Sequence, residues 1–156
     1  MKKINNILVT GGAGYIGSHI VEKLVKTNVN VFILDNLVTG YKKLINKKAF
    51  FTKGSIKDSN KIRKIIIKKN IDTIIHLAAH LNVKEAENNK KKYSANNIKG
   101  THEVIKACKN SKVRNIIFSS SCSVYGSVNG SVSEQKKPKP KGFYAYTKYK
   151  GEQIIK

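Results

Sequence analysis

The sequence predicts an α/β fold: a doubly wound parallel sheet with helices on both faces. Three observations carry that expectation. Short, almost wholly apolar runs such as Asn6-Ile7-Leu8-Val9 and Asp72 to His76 have the character of strands covered on both sides. Other stretches repeat apolar residues at helical spacing. The two kinds of segment alternate along the chain, as they do when crossover helices join parallel strands.

The first strand, Asn6 to Val9, leads through TGGAGYIG (Thr10 to Gly17) into a helix whose Ile16, Ile20, Val21, Leu24 and Val25 recur as far as Thr27. A second strand, Val29 to Leu34, ends at Asp35, and a short third is expected over Ala49 to Thr52. A helix follows over Ser59 to Lys69, with Ile62, Ile65 and Ile66 on one side and Lys61, Lys64, Lys68 and Lys69 on the other. Asp72 to His76 is the fourth strand, Tyr93 to Asn110 one long helix, and Arg114 to Ser119 the fifth strand. Leu81-Asn82 and Lys84 are expected in a loop. Ser127 to Gly142 holds both prolines and a lysine run and is expected to be a surface loop; a last helix runs from Phe143 to Lys156.

Strand, glycine turn and helix N-terminus, in that order, make a phosphate site, because free backbone N–H groups and the helix dipole both favour an anion. Asp35 follows Gly17 by 18 residues, near the roughly 20 expected of an acid that binds both hydroxyls of an adenosine ribose. Gly11, Gly14 and Gly17 are therefore expected around a dinucleotide pyrophosphate. The carboxylate would repel an extra 2′-phosphate, and no arginine stands nearby to receive one, with Lys42 and Lys43 only distant candidates. NAD is favoured over NADP.

Length and composition bound the rest. The 156 residues form one expected domain, 1–156, long enough to bury a core. No apolar run nears the roughly 18 residues of a membrane span, and the N-terminus leads into a strand rather than a signal sequence, so no membrane partner and a cytoplasmic location are expected. Cys108 and Cys122 fit neither a metal spacing nor a disulfide framework, and no metal site is expected. The formal charge of +22 would suit a nucleic-acid binder. Yet Arg63 and Arg114 are the only arginines, and the lysines are scattered as on solvated faces. No nucleic-acid partner is expected.

Chemistry belongs at the carboxyl ends of the strands. The fifth ends in Ser119-Ser120-Ser121-Cys122-Ser123-Val124-Tyr125-Gly126, and the last helix opens with Phe143-Tyr144-Ala145-Tyr146-Thr147-Lys148. Tyr144 and Lys148 are four apart, on one helix face. An ammonium beside a tyrosine favours the phenolate, drawing its pKa from about 10 toward the range of a general base. Tyr146 and Lys150 repeat the spacing.

TGGAGYIGSH, LDN, HLAAH, Asn96-Asn97-Ile98-Lys99-Gly100-Thr101, SSSCSVYG and YAYTK stand in the order and spacing of the extended short-chain dehydrogenase/reductases. The chain resembles that family along its whole length, and within it the sugar-nucleotide epimerases. The resemblance implies a Rossmann-like domain with NAD as cofactor. Gly11, Gly14 and Gly17 would hold the pyrophosphate, Tyr15 and Ile16 would also bind the cofactor, and Asp35 and Asn36 would hold the adenosine ribose. Ser55 and Ile56 would lie near the adenine, with Ser55 where the family commonly has aspartate. Ala78 and Ala79 would line the cofactor and Asn96 would support it. Ser121, Tyr144 and Lys148 would be the catalytic group, with Tyr144 preferred because Thr147-Lys148 and Gly151-Glu152-Gln153 match the family register. A UDP-hexose would be the substrate. Dehydratases and decarboxylases of the superfamily place an acid after the serine or threonine; Cys122-Ser123 there favours an epimerase. The resemblance further implies a homodimer through the 93–110 and 144–156 helices, and a substrate-binding region that would follow Lys156 and is absent from this chain.

Overall fold

The computed structural model describes residues 4–156. Five strands, β1 (Asn6–Thr10), β2 (Asn30–Asp35), β3 (Phe50–Lys53), β4 (Thr73–His76) and β5 (Asn115–Phe118), form one parallel sheet in the order β3-β2-β1-β4-β5. The order turns back between β1 and β4, and such a switch point opens a crevice at the strands' carboxyl ends.

Strand alternation divides the core in two. Leu8, Phe32, Leu34 and Ile74 face α2 (Ser59–Lys68) and α5 (Gly100–Cys108), burying Ile62, Ile66, Val104 and Ala107. Ile7, Val9, Val31, Ile33 and Ile75 face the opposite way, toward Val21, Ile20 and Leu24 of α1 (Tyr15–Leu24). Each fully buried isoleucine of α2 contributes on the order of 1.5–3 kcal/mol. The Asp58 carboxylate caps α2 by accepting from the Lys61 N–H at 2.9 Å. On the α1 face the cover ends before the outer strand, where Ile117 of β5 is 56% exposed.

The region after β4 departs from expectation. The loop expected at Leu81-Asn82 and Lys84 is in part a helix, α3 (Val83–Asn88), capped by the Asn82 side chain accepting from the Glu85 N–H at 2.9 Å. The long helix expected over Tyr93 to Asn110 starts earlier and is interrupted. A short α4 (Lys90–Tyr93) passes into a π-helical segment, Ser94–Lys99, before α5 begins. The segment's extra residue per turn turns both Asn96 and Asn97 inward, and both are buried. The last helix, α6 (Phe143–Ile155), lies against α3, α5 and the π-helical segment. Gly151 gives it room: a Cβ there would come within 2.5 Å of the Phe118 ring. Among the described residues no helix is long and apolar enough to cross a membrane.

Candidate active site

A cleft of about 480 Å³ opens at the carboxyl ends of the strands. Its first wall is the glycine turn, where each glycine answers a different constraint. Gly11 has φ +75°, and a Cβ on it would strike the Ala78 backbone nitrogen at 2.8 Å. A Cβ on Gly17 would lie 2.1 Å from the Gly11 carbonyl oxygen, so α1 can seat against the turn only without one. Gly14 is different: its added Cβ would have the Gly11 oxygen at 3.3 Å as its sole near neighbour, and the residue lines the cleft. Two glycines thus fit the chain to itself, and the middle one leaves space for a ligand. Gly14 is also the N-cap of α1 and makes no side-chain cap, which leaves first-turn N–H groups available to an anion.

Asp35 closes the far corner. One carboxylate oxygen accepts from the Ala13 N–H at 3.0 Å and the other from the Leu37 N–H at 2.8 Å, fixing the acid against the glycine turn. Each oxygen retains a lone pair for a hydroxyl donor. The Asn36 side-chain oxygen accepts from the Val38 N–H at 3.0 Å, and between these contacts Leu37 takes φ +61°. A non-glycine residue there is held by its surroundings.

Ile56, Ala78, Ala79 and Asn96 line the cleft, as do Tyr15, Ile16, Asn36, Tyr144 and Lys148. Ser55 does not. Its hydroxyl oxygen accepts from the Lys57 N–H at 3.2 Å, a turn contact. Ser121 is not part of the lining either and bears on the cleft through Tyr144, whose ionised form its hydroxyl favours. The Ser123 N–H donates to the Ser121 oxygen at 3.2 Å and the two hydroxyls are 2.8 Å apart, which fixes the Ser121 side chain at the turn after the fifth strand.

The ionisation of Tyr144 differs from the expected direction. Burial pushes its hydroxyl above the usual tyrosine range, and the contact opposing that rise is the Ser121 hydrogen bond. Lys148 is spent elsewhere: only 3% exposed, it holds its Nζ 4.3 Å from the centre of the Phe118 ring. Burial lowers its amine to about 8, and the Glu152 carboxylate works against that fall.

Behind the cleft runs a buried relay. The Thr101 hydroxyl donates to the Asn97 carbonyl at 2.7 Å, so His76 Nε2, 3.0 Å away, must be the donor to Thr101. His76 Nδ1 is then the acceptor of the Thr10 hydroxyl at 2.6 Å. Complete burial, aided by repulsion from Lys148, holds this imidazole neutral, with its pKa lowered to about 3. The Asn97 side chain accepts from the His80 N–H at 2.8 Å and donates to the His80 carbonyl at 3.0 Å and the Thr147 hydroxyl at 3.2 Å. Thr147 donates to the Tyr144 carbonyl at 2.7 Å. Strands, π-helical segment and α6 are thereby one hydrogen-bonded unit.

The model of the NAD dependent epimerase/dehydratase family matches residues 7–156. The chain belongs to that family. UDP-glucose 4-epimerase of Lactobacillus helveticus is 42% identical over 120 residues, covering 77% of this chain and 36% of its own. dTDP-D-glucose 4,6-dehydratase of Dictyostelium discoideum is 34% identical over 172 residues, covering 97% and 40%. Among solved structures, UDP-glucose 4-epimerase of Brucella ovis in complex with NAD superposes with a TM-score of 0.92 at 34% identity, covering 97% of this chain and 46% of that one. The chain spans half or less of the length of the curated relatives it matches.

This epimerase/dehydratase cleft also takes in Val38, Thr39, Gly54, His80, Leu81, Ser119 and Ser120, which the sequence reading did not assign to it. Gly54 had a signal, since it directly follows the third strand and precedes Ser55-Ile56. The others sit on connections whose proximity only the folded sheet creates.

Proposed function

We propose that this chain is the cofactor-holding half of a sugar-nucleotide 4-epimerase of the UDP-glucose/UDP-galactose type, using NAD. The observation that carries the reading is that one cleft joins the glycine turn and Asp35 at one end to Tyr144 and Lys148 at the other. The residues suit the cofactor: Gly14 leaves space beside an uncapped helix N-terminus, and the Asp35 oxygens keep lone pairs for ribose hydroxyls. Bound NAD supplies a reversible hydride acceptor for C4 of the sugar.

The chain's own residues handle the proton. Tyr144 accepts it from the sugar 4-hydroxyl and returns it after the 4-keto sugar has turned over. Ser121, donating to the phenolic oxygen, stabilises the ionised tyrosine and can pass that hydrogen bond to the reacting oxygen. Lys148, a buried amine in the cleft wall, would hold the nicotinamide ribose. Cys122-Ser123 after the serine supports epimerisation over dehydration, which would use an acid there. A homodimer through the 93–110 and 144–156 helices and a cytoplasmic location accompany this proposal.

Calorimetric titration with NAD and NADP tests the cofactor reading. NAD should bind at least about tenfold more tightly, a difference near 1.4 kcal/mol; equal affinities would count against Asp35 as the selector. In a chain extended to the length of its relatives, Tyr144→Phe should abolish UDP-galactose to UDP-glucose conversion while NAD affinity is retained. If Tyr146→Phe silences it instead, the working pair is Tyr146 with Lys150.

A further inference from the structure

Glu152 has no part in the proton transfer just described, yet its position is unusual. It follows Lys148 by four residues on α6, hence on the same helix face, and is half-buried. Its Oε1 accepts a short hydrogen bond from the hydroxyl of Ser120, a residue of the cleft wall directly before Ser121. It is also the group whose attraction opposes the loss of charge on Lys148. We propose that Glu152, latched by Ser120, is a positioning residue that keeps the Lys148 ammonium charged over the Phe118 ring and ties the strand end bearing Ser121 to the helix bearing Tyr144. The inference rests on the reading of Lys148 as a site residue.

The other charged groups around Lys148 are engaged elsewhere. Glu85 of α3 is bound to Lys92 and Tyr93, and Glu87 accepts from the Phe143 N–H. Glu103 of α5 pairs with Lys106. The lysines of α4 and the π-helical segment carry the same sign as Lys148 and could only lower its affinity for a proton. His76, which faces it from β4, is neutral. Phe118 offers a ring face and no formal charge. The carboxylate of Glu152 is therefore the countercharge that the described residues provide, and it stands beyond direct ion-pair contact, held to its place by Ser120 rather than by Lys148.

The consequence is quantitative. With its amine at about 8, Lys148 is mostly charged at neutral pH. Loss of a nearby opposite charge lowers such a value by roughly one unit or more, which would leave about half of the lysines neutral near pH 7.

Carbon-13-labelled lysine in the cofactor-free 156-residue chain lets NMR follow the Lys148 side chain against pH, its signal assigned by its loss in Lys148→Met. Glu152→Gln should lower the midpoint by roughly one unit. Ser120→Ala should lower it less, and Glu152→Asp should restore part of the difference. A Glu152→Gln chain with native circular dichroism and an unchanged or raised midpoint overturns the proposal, since a purely structural glutamate would alter stability alone. Should that variant fail to fold, an unchanged midpoint in Ser120→Ala overturns it equally. Because the titration needs no cofactor, it remains decisive even if the chain fails to bind NAD, a result that would count against the proposed function and not against Glu152.

Discussion

Replacing Gly17 by alanine should damage the fold, whereas the same change at Gly14 should spare the fold and damage binding. At Gly17 the new methyl would lie 2.1 Å from the Gly11 oxygen and 2.8 Å from the Gly12 Cα. Comfortable contact needs about 3.5 Å, so the turn and α1 must separate by more than an ångström. Neither side can give easily. Gly11 is bound on both sides, its N–H to the Leu34 carbonyl at 2.9 Å and its carbonyl to the Gly14 N–H at 3.1 Å, and Val21 anchors α1 in the core. Overpacking of this kind costs about 1–3 kcal/mol where side chains can adjust. With backbone on both sides we expect the upper end, about 3 kcal/mol. Gly14 has φ −80°, open to any residue, and its methyl would meet one atom at 3.3 Å. Stability should then change by no more than about 1 kcal/mol, the range of N-cap substitutions, while NAD affinity falls at least about tenfold. Urea unfolding followed by circular dichroism, paired with NAD calorimetry, reads both effects. A Gly17→Ala chain as stable as the parent, or a Gly14→Ala chain that unfolds or binds NAD normally, would refute this division of roles.

Acid should unfold the protein through His76. The unfolded histidine takes up a proton near 6.5 and the buried one only near 3, so stability is full above about 6.5 and falls as pH drops through that window, by on the order of 5 kcal/mol. Urea midpoints measured from pH 4 to 7 should show the slope, and His76→Gln should flatten it; equal slopes would disprove the assignment. Asp35→Ala should weaken NAD and narrow its margin over NADP in calorimetry, because the variant loses both the ribose acceptor and the anchor of the Ala13 and Leu37 N–H groups. Cys122 is exposed, whereas burial raises the half-buried Cys108 thiol to about 11. A native chain should therefore react with one equivalent of a thiol reagent quickly and the second only on unfolding, as mass spectrometry of the modified peptides would reveal. Retention on random duplex DNA should be weak and vanish at moderate salt, without sequence preference, and tight selective binding would contradict a merely solvated lysine surface.

The centre of the sheet was legible in the sequence because β1, β2 and β4 are buried on both faces and so contain mostly apolar residues, as in Ile7, Leu8 and Val9. The nucleotide end of the cleft was legible for a related reason: glycines and one acid at fixed spacing answer local backbone constraints. Elsewhere the governing forces were not local. Val83-Lys84-Glu85-Ala86-Glu87-Asn88 presents one buried residue, Ala86, and so lacks the apolar stripe of a helix. Its remaining signal was Asn82 three residues before Glu85, a cap. The π-helical segment exists because Asn97 is satisfied by the His80 backbone and Thr147, partners 17 and 50 residues away. The upward shift of Tyr144 likewise comes from burial that i, i+4 spacing does not encode.

The π-helical segment constrains how the gene can change length. One residue advances an α-helix by about 100°, so a deletion that returned Ser94–Lys99 to ordinary helix would rotate everything on one side of it relative to the other. Thr101 would swing away from His76, or Asn97 away from His80 and Thr147. Surface loops such as residues 127–142 can gain or lose residues at little cost. This segment should accept substitutions at its exposed positions yet reject every insertion or deletion, a contrast that deep mutational libraries containing single-codon indels would record.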